Sequence, residues 1–199
     1  YSCATDATED LGIALGGSET TINLSLEQSR TELGTEANGI YPLYWSEGDK
    51  ISVNGVESTE AAIDAANASN AAFNVVATAP YCIAYPAAPA GKVLFAEVQT
   101  HIGNGSFSSG VSTMYGYGES TLGVGLKHLT GVLKIGVKGS AVLKKAQIST
   151  IDRAPIAGAF ALDFEKGELK ATETSKSVIN YSFGEGVQLS GDATYLHVA

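Results

Sequence analysis

The feature that most constrains this chain is a period-two alternation of apolar and polar residues that recurs from one end to the other. Ile22, Leu24 and Leu26 alternate with Thr21, Asn23 and Ser25. Tyr41, Leu43 and Trp45 share a parity, and in the next stretch Ile51 and Val53 oppose Lys50, Ser52 and Asn54. Further on, Leu129, Leu133, Ile135 and Val137 alternate with Thr130, Lys134 and Lys138, followed by Phe160, Leu162 and Phe164, then Ile179, Tyr181 and Phe183. Side chains of an extended strand point to its two faces in turn, so the pattern predicts strands with one buried and one wet face. Such strands belong in antiparallel sheets stacked as a β-sandwich rather than in a parallel α/β core. About ten to twelve segments of this kind are separated by turn clusters such as Gly103-Asn104-Gly105 and Gly184-Glu185-Gly186. With 23 glycines against 5 prolines, tight turns between short strands are well supplied.

One segment departs from this pattern. Ala61 to Ala72 is alanine-rich, and its Asn and Ser residues weaken any helix, so a loop or short helix is expected there. No 20–50-residue repeat is present, which excludes a solenoid or propeller. No linker divides the chain, so residues 20–199 are expected to form one domain after a flexible tail at 1–19. The last run, ATYLHVA, stops at Ala199 in what reads as mid-strand, as in the leading part of a longer protein.

The net charge of −9 argues against nucleic acid as a partner, because phosphate binding needs a basic stripe and the only adjacent basic pair is Lys144-Lys145. His101, His128 and His197 lie far apart in sequence, and neither cysteine has a CxxC partner, so no metal site or cofactor is indicated. The histidines are read as surface or sheet-face residues. A nucleophile elbow is absent, and Gly116-Tyr117-Gly118 and Gly123-Val124-Gly125 lack the third glycine of a dinucleotide loop. The chain therefore does not read as an enzyme. Its cysteines, Cys3 and Cys82, give no disulfide framework. Cys3, followed by a polar stretch, is either the lipid-attachment cysteine of an exported lipoprotein or a thiol in a frayed tail. Tyr115 and Tyr117, in MYGYGES, are either a glycan platform or half-buried anchors of a loop.

The order of motifs resembles the fimbrillin-like proteins of Bacteroidales, whose members include the subunits of type V pili. The resemblance runs from about Arg30 to the end. It comprises Ser29-Arg30-Thr31, then Trp45-Ser46-Glu47-Gly48-Asp49-Lys50-Ile51, and Ala84-Tyr85-Pro86-Ala87. These are followed by Gln99, by Gly105-Ser106-Phe107 leading to Met114, by the Leu126-to-Ile135 strand, and by Ile156-Ala157-Gly158-Ala159-Phe160. In the family, the W-x-x-G-D-x-I element is a structural corner. The resemblance thus implies that Trp45 fills the core, Gly48 takes a turn conformation, and Asp49 ties the turn's backbone.

The resemblance also implies an all-β, Greek-key, transthyretin-like sandwich and export as a lipoprotein through Cys3 to the outer membrane. In the pilus subunits a trypsin-like, Arg/Lys-specific protease cuts near the N-terminus, the first strand leaves, and a strand from the next subunit fills the vacated groove. Here Ile22, Leu24 and Leu26 match the displaced strand. Arg30 is either the cleavage site or an ordinary loop arginine. The expected partners are other pilin subunits, that protease and a host or bacterial surface ligand. The competing reading is a non-polymerising surface lipoprotein that binds glycan or host protein through its loop aromatics.

Overall fold

The computed structural model describes residues 17–26, 44–103, 106–122 and 124–199. Every regular element among them is a strand, and the alternating segments at Ile22, Phe160 and Ile179 fall in three of them. In chain order the first eight are β1 (Ser18–Ser25), β2 (Ser52–Val53), β3 (Val56–Glu57), β4 (Ala62–Ile63), β5 (Asn70–Ala77), β6 (Tyr81–Tyr85), β7 (Lys92–Phe95) and β8 (Val98–Thr100). The second eight are β9 (Met114–Gly118), β10 (Lys127–His128), β11 (Leu133–Val137), β12 (Val142–Ser149), β13 (Ala157–Asp163), β14 (Glu168–Lys176), β15 (Val178–Gln188) and β16 (Thr194–Val198). β1 begins at Ser18, two residues ahead of the tail boundary expected from the sequence. Cys3 and Arg30, the expected lipidation and cleavage positions, lie outside the described residues.

Five sheets result, with orders β1-β5-β4, β10-β9-β6-β2-β3, β11-β16, β12-β15-β8 and β14-β13-β7. All pairings are antiparallel except β8 with β15, which run parallel, against the wholly antiparallel expectation. The alanine-rich stretch is not a helix. Its ends are β4 and the start of β5, paired through Ala62–Ala72 and Ile63–Ala71, and the turn between them carries the Asn and Ser residues. Asp64 and Asn67 stabilise that turn, accepting hydrogen bonds from the Ala66 and Ser69 N–H groups. Their side chains thus take over backbone pairing that a helix would otherwise have made.

The five-stranded sheet is covered on both faces. From β6, Ile83 and Tyr85 point into a cluster shared with Ile22, Leu24, Phe73 and Val75 of the β1-β5-β4 sheet. Cys82 and Ala84 point the other way, into a cluster with Val93, Phe160 and Leu162 of the β14-β13-β7 sheet. A third cluster joins Ile179, Tyr181 and Phe183 of β15 to Leu196 and Val198 of β16.

A middle layer leaves no wet face, which corrects the expectation for Ser52 and Asn54. Ser52 is 2% exposed and its hydroxyl accepts the Ala88 N–H at 2.9 Å. Asn54 closes the β2–β3 hairpin with Gly55, both at positive φ (54° and 84°), as a type I′ turn requires. Its amide also joins the hairpin to the middle layer, accepting the Cys82 N–H and donating to the Thr78 carbonyl.

Candidate functional site

β1 occupies one edge of its sheet and pairs along its whole length with β5, from Ser18–Ala77 to Ser25–Asn70. Ile22, Leu24 and Leu26 are buried (0%, 3% and 2% exposed), while Glu19, Thr21, Asn23 and Ser25 lie on the outer side. Directly opposite on β5, Phe73 faces Ile22 and Ala71 faces Leu24. The small Ala71 leaves room for the Leu24 isobutyl group, and the large Phe73 closes the slot beside it. Leu26 continues the line past the end of the strand, where its N–H donates to the Ser69 carbonyl. Burying such side chains contributes ~1.5–3 kcal/mol each, so the three together stabilise the strand by about 5–9 kcal/mol. Without β1, the apolar inner faces of Phe73, Val75 and Ala71 would lie open along an unpaired strand edge.

The floor of the same cluster is the corner at Trp45. Its ring is 3% exposed and meets Phe73 and Tyr85 edge to face, at centroid distances of 4.9 and 5.3 Å. Gly48 takes a φ of 85°, a region a side chain disfavours. Asp49, 6% exposed, ties the turn as the motif implied: its Oδ2 accepts the Ser46 N–H at 2.8 Å. The other half of this carboxylate's work leaves no local mark in the sequence. Oδ1 accepts from both the Tyr85 hydroxyl (2.7 Å) and the Ser109 hydroxyl (2.5 Å), and the Gly110 N–H donates to the Tyr85 oxygen. Burial, followed by the Asp49 charge, pushes the Tyr85 hydroxyl far above the ordinary phenol value. The signal available beforehand was Tyr85 within Ala84-Tyr85-Pro86-Ala87, but nothing in the spacing joined it to Asp49.

The other candidates fall elsewhere. Tyr115 is 8% exposed, its ring lies against Phe164, and its hydroxyl abuts Gly167, so it is closed as a glycan platform. Tyr117 is half-buried beside the same cluster and donates to Glu119 at 2.9 Å. His128 sits 3.2 Å from the Ser112 hydroxyl through Nδ1. His197 lies on a sheet face, in β16, and is 2% exposed rather than at the surface. Cys82 is buried and disulfide-bonded, where no disulfide was expected; the chain's one other cysteine is Cys3. Arg153, the only arginine besides Arg30, lies exposed in the turn after β12 at a φ of 58°. No group of three or more His, Cys, Asp or Glu among the described residues could hold a metal ion, and no helix there is long and apolar enough to cross a membrane.

No family model, curated protein or solved structure matches the chain.

Proposed function

We propose that this chain is a structural, non-catalytic subunit of a cell-surface fimbria, or a closely related fimbrillin-like surface lipoprotein, that assembles by protease-triggered strand exchange. The observation that carries this reading is the placement of β1. Among the described residues it is an edge strand, paired with one neighbour, whose Ile22, Leu24 and Leu26 fill the cluster beneath it. An edge strand can leave without breaking any other ladder, and the groove it leaves is apolar and lined by an open backbone edge. In water that groove favours refilling by an alternating strand from a second copy. The intact chain is plugged, and the cut chain is competent to assemble.

In this reading a trypsin-like, Arg/Lys-specific protease cuts after Arg30, four positions past Leu26. The sheets form a Greek-key, transthyretin-like sandwich, and the uncut protein is held at the outer membrane by a lipid on Cys3. A thioether on Cys3 and an intrachain disulfide compete for the same sulfur in a chain with 2 cysteines. The anchored form therefore carries Cys82 outside an intrachain disulfide.

Limited digestion with an arginine-specific protease tests the proposal. Arg153 is the second site to monitor, by mass, because its turn is exposed. With a reductant present to open any disulfide, release of a peptide ending at Arg30, with a shift of the remainder from monomer to oligomer on a sizing column, is the expected result. A chain cut at Arg30 that keeps its peptide and stays monomeric would count against it.

A further inference from the structure

His197 is 2% exposed, and neither of its ring nitrogens has a hydrogen-bond partner among the described residues. Buried imidazoles ordinarily satisfy at least one nitrogen. With both open, the neutral ring is already under-satisfied, and an imidazolium would bring a charge and a further donor to a place that water does not reach.

The groups set around the ring offer a proton no partner. On β11, Lys134 stands directly across the ladder from His197. Its ammonium is held 4.6 Å from the centroid of the Tyr195 ring. That ring lies over Gly136, where a Cβ would come within 3.1 Å of it, so a bare glycine lets the aromatic settle against the strand. Past the end of β8, His101 is half-buried with an unpartnered Nδ1 and stacks 4.9 Å from Phe183. From β15, the Tyr181 hydroxyl lies toward the His197 main chain but makes no hydrogen bond of good geometry. Burial first, then the charges of Lys134 and His101, hold the His197 imidazole below its ordinary value of 6.5, and burial alone lowers His101.

The strand that carries His197 is weakly tied into the fold. Among the described residues β16 pairs only with β11, and β11 only with β16, so together they make a two-stranded sheet. Such a sheet is marginal by itself and depends on the cluster it covers. The Gln99 side chain adds one clamp, donating to the Ala199 carbonyl at 2.8 Å and accepting the Ala199 N–H at 3.3 Å.

We propose that β16 is an acid-released latch: protonated His197 leaves its buried site for water, the Leu133–Val137 and Thr194–Val198 ladder parts, and the Gln99 clamp opens with it, while β1, β5 and β6 stay paired. The sign follows from which form takes the proton. The closed sheet keeps the ring neutral and the opened strand does not, so the opened form is protonated first. The latch is at full strength above the ordinary value of 6.5 and weakens as pH falls through it, levelling off only below the lower value of the closed form. Opening bares Leu196 and Val198 and the apolar side chains beneath them. The latch is independent of strand exchange at β1, and either can fail without the other.

Hydrogen exchange of the full chain, read by mass spectrometry at about pH 7.5 and about pH 5.5 and corrected for intrinsic rates, tests this. The expected result is a loss of protection of up to about tenfold confined to β11 and β16, with β1, β5 and β6 unchanged. The loss disappears in His197→Leu. Lys134→Gln keeps the native ring in place and removes one repelling charge, so it reduces the acid loss and serves if the leucine variant does not fold. Equal protection of β11 and β16 at the two pH values overturns the proposal. So does simultaneous opening of all the sheets, or an undiminished acid loss in both variants.

Discussion

The Tyr85 hydroxyl donates a 2.7 Å hydrogen bond to the buried Asp49 carboxylate, joining residues 36 positions apart. Through that bond the corner at Trp45–Asp49 is fixed to the end of β6, and through Ser109 to the loop that precedes β9. Removing the carboxylate leaves two hydroxyls and the Ser46 N–H without their acceptor. Asp49→Ala should therefore cost about 2–4 kcal/mol, and Tyr85→Phe about 1–2 kcal/mol, in urea unfolding. The pair also sets an alkaline limit. The folded chain holds the Tyr85 proton more tightly than the unfolded one, so stability falls as pH rises above the ordinary phenol value of 10. Tyr85→Phe should lose that part of the alkaline decline.

Trp45 fills the space between Phe73 and Tyr85, and its indole Nε1 is buried without a partner. Its contribution is therefore packing rather than hydrogen bonding. Trp45→Ala should cost about 3–5 kcal/mol, and Trp45→Phe distinctly less, because most of the apolar volume returns while no hydrogen bond is lost. Equal losses in the two variants would mean that the ring does not fill this space.

Gly55 combines a φ of 84° with the Ala90 main chain packed against the place a Cβ would take. Gly55→Ala should destabilise by about 2 kcal/mol or more, since the left-handed strain and the backbone clash add. Gly48 shares the positive φ but has open space around it. Gly48→Ala should cost only the conformational part, about 1–2 kcal/mol. Comparing the two midpoints in urea separates strain from crowding.

The two cysteines give a prediction on chemistry rather than stability. If Cys3 carries the lipid, protein extracted from membranes should add the mass of a lipidated N-terminus, and Cys82 should be alkylated after denaturation without reductant. A full-length chain with neither a lipid mass nor a reactive thiol would place both sulfurs in disulfides and remove Cys3 as the anchor.

Much of this was legible in the residues. The parity of Ile22, Leu24 and Leu26, of Phe160, Leu162 and Phe164, and of Ile179, Tyr181 and Phe183 gave the buried faces of β1, β15 and the β13 segment, because one covered face imposes period two. The corner was legible because Gly48 and Asp49 act within a few residues of Trp45. What failed was whatever depends on partners distant in sequence. Ser52 and His197 break the rule of polar residues outward, since both are buried by segments distant in sequence that local pattern does not specify. Ala61 to Ala72 is a turn between two strand ends rather than a helix, because cross-strand pairing with β5 overrides the helix preference of alanine. The parallel pairing of β8 with β15 leaves no local mark on three residues. Likewise Ser109 and Tyr85 meet Asp49 only once β6 and the loop before β9 are in place.

The most direct measurement is the binding of a synthetic peptide spanning Ser18 to Leu26 to the chain after cleavage at Arg30 and removal of its own leading segment. The peptide should bind, restore resistance to unfolding and block oligomer formation, and a peptide with Ile22 and Leu24 replaced by Ser should do none of these. If both peptides behave alike, or if the cut chain stays monomeric without either, the groove beneath β1 is not the assembly site.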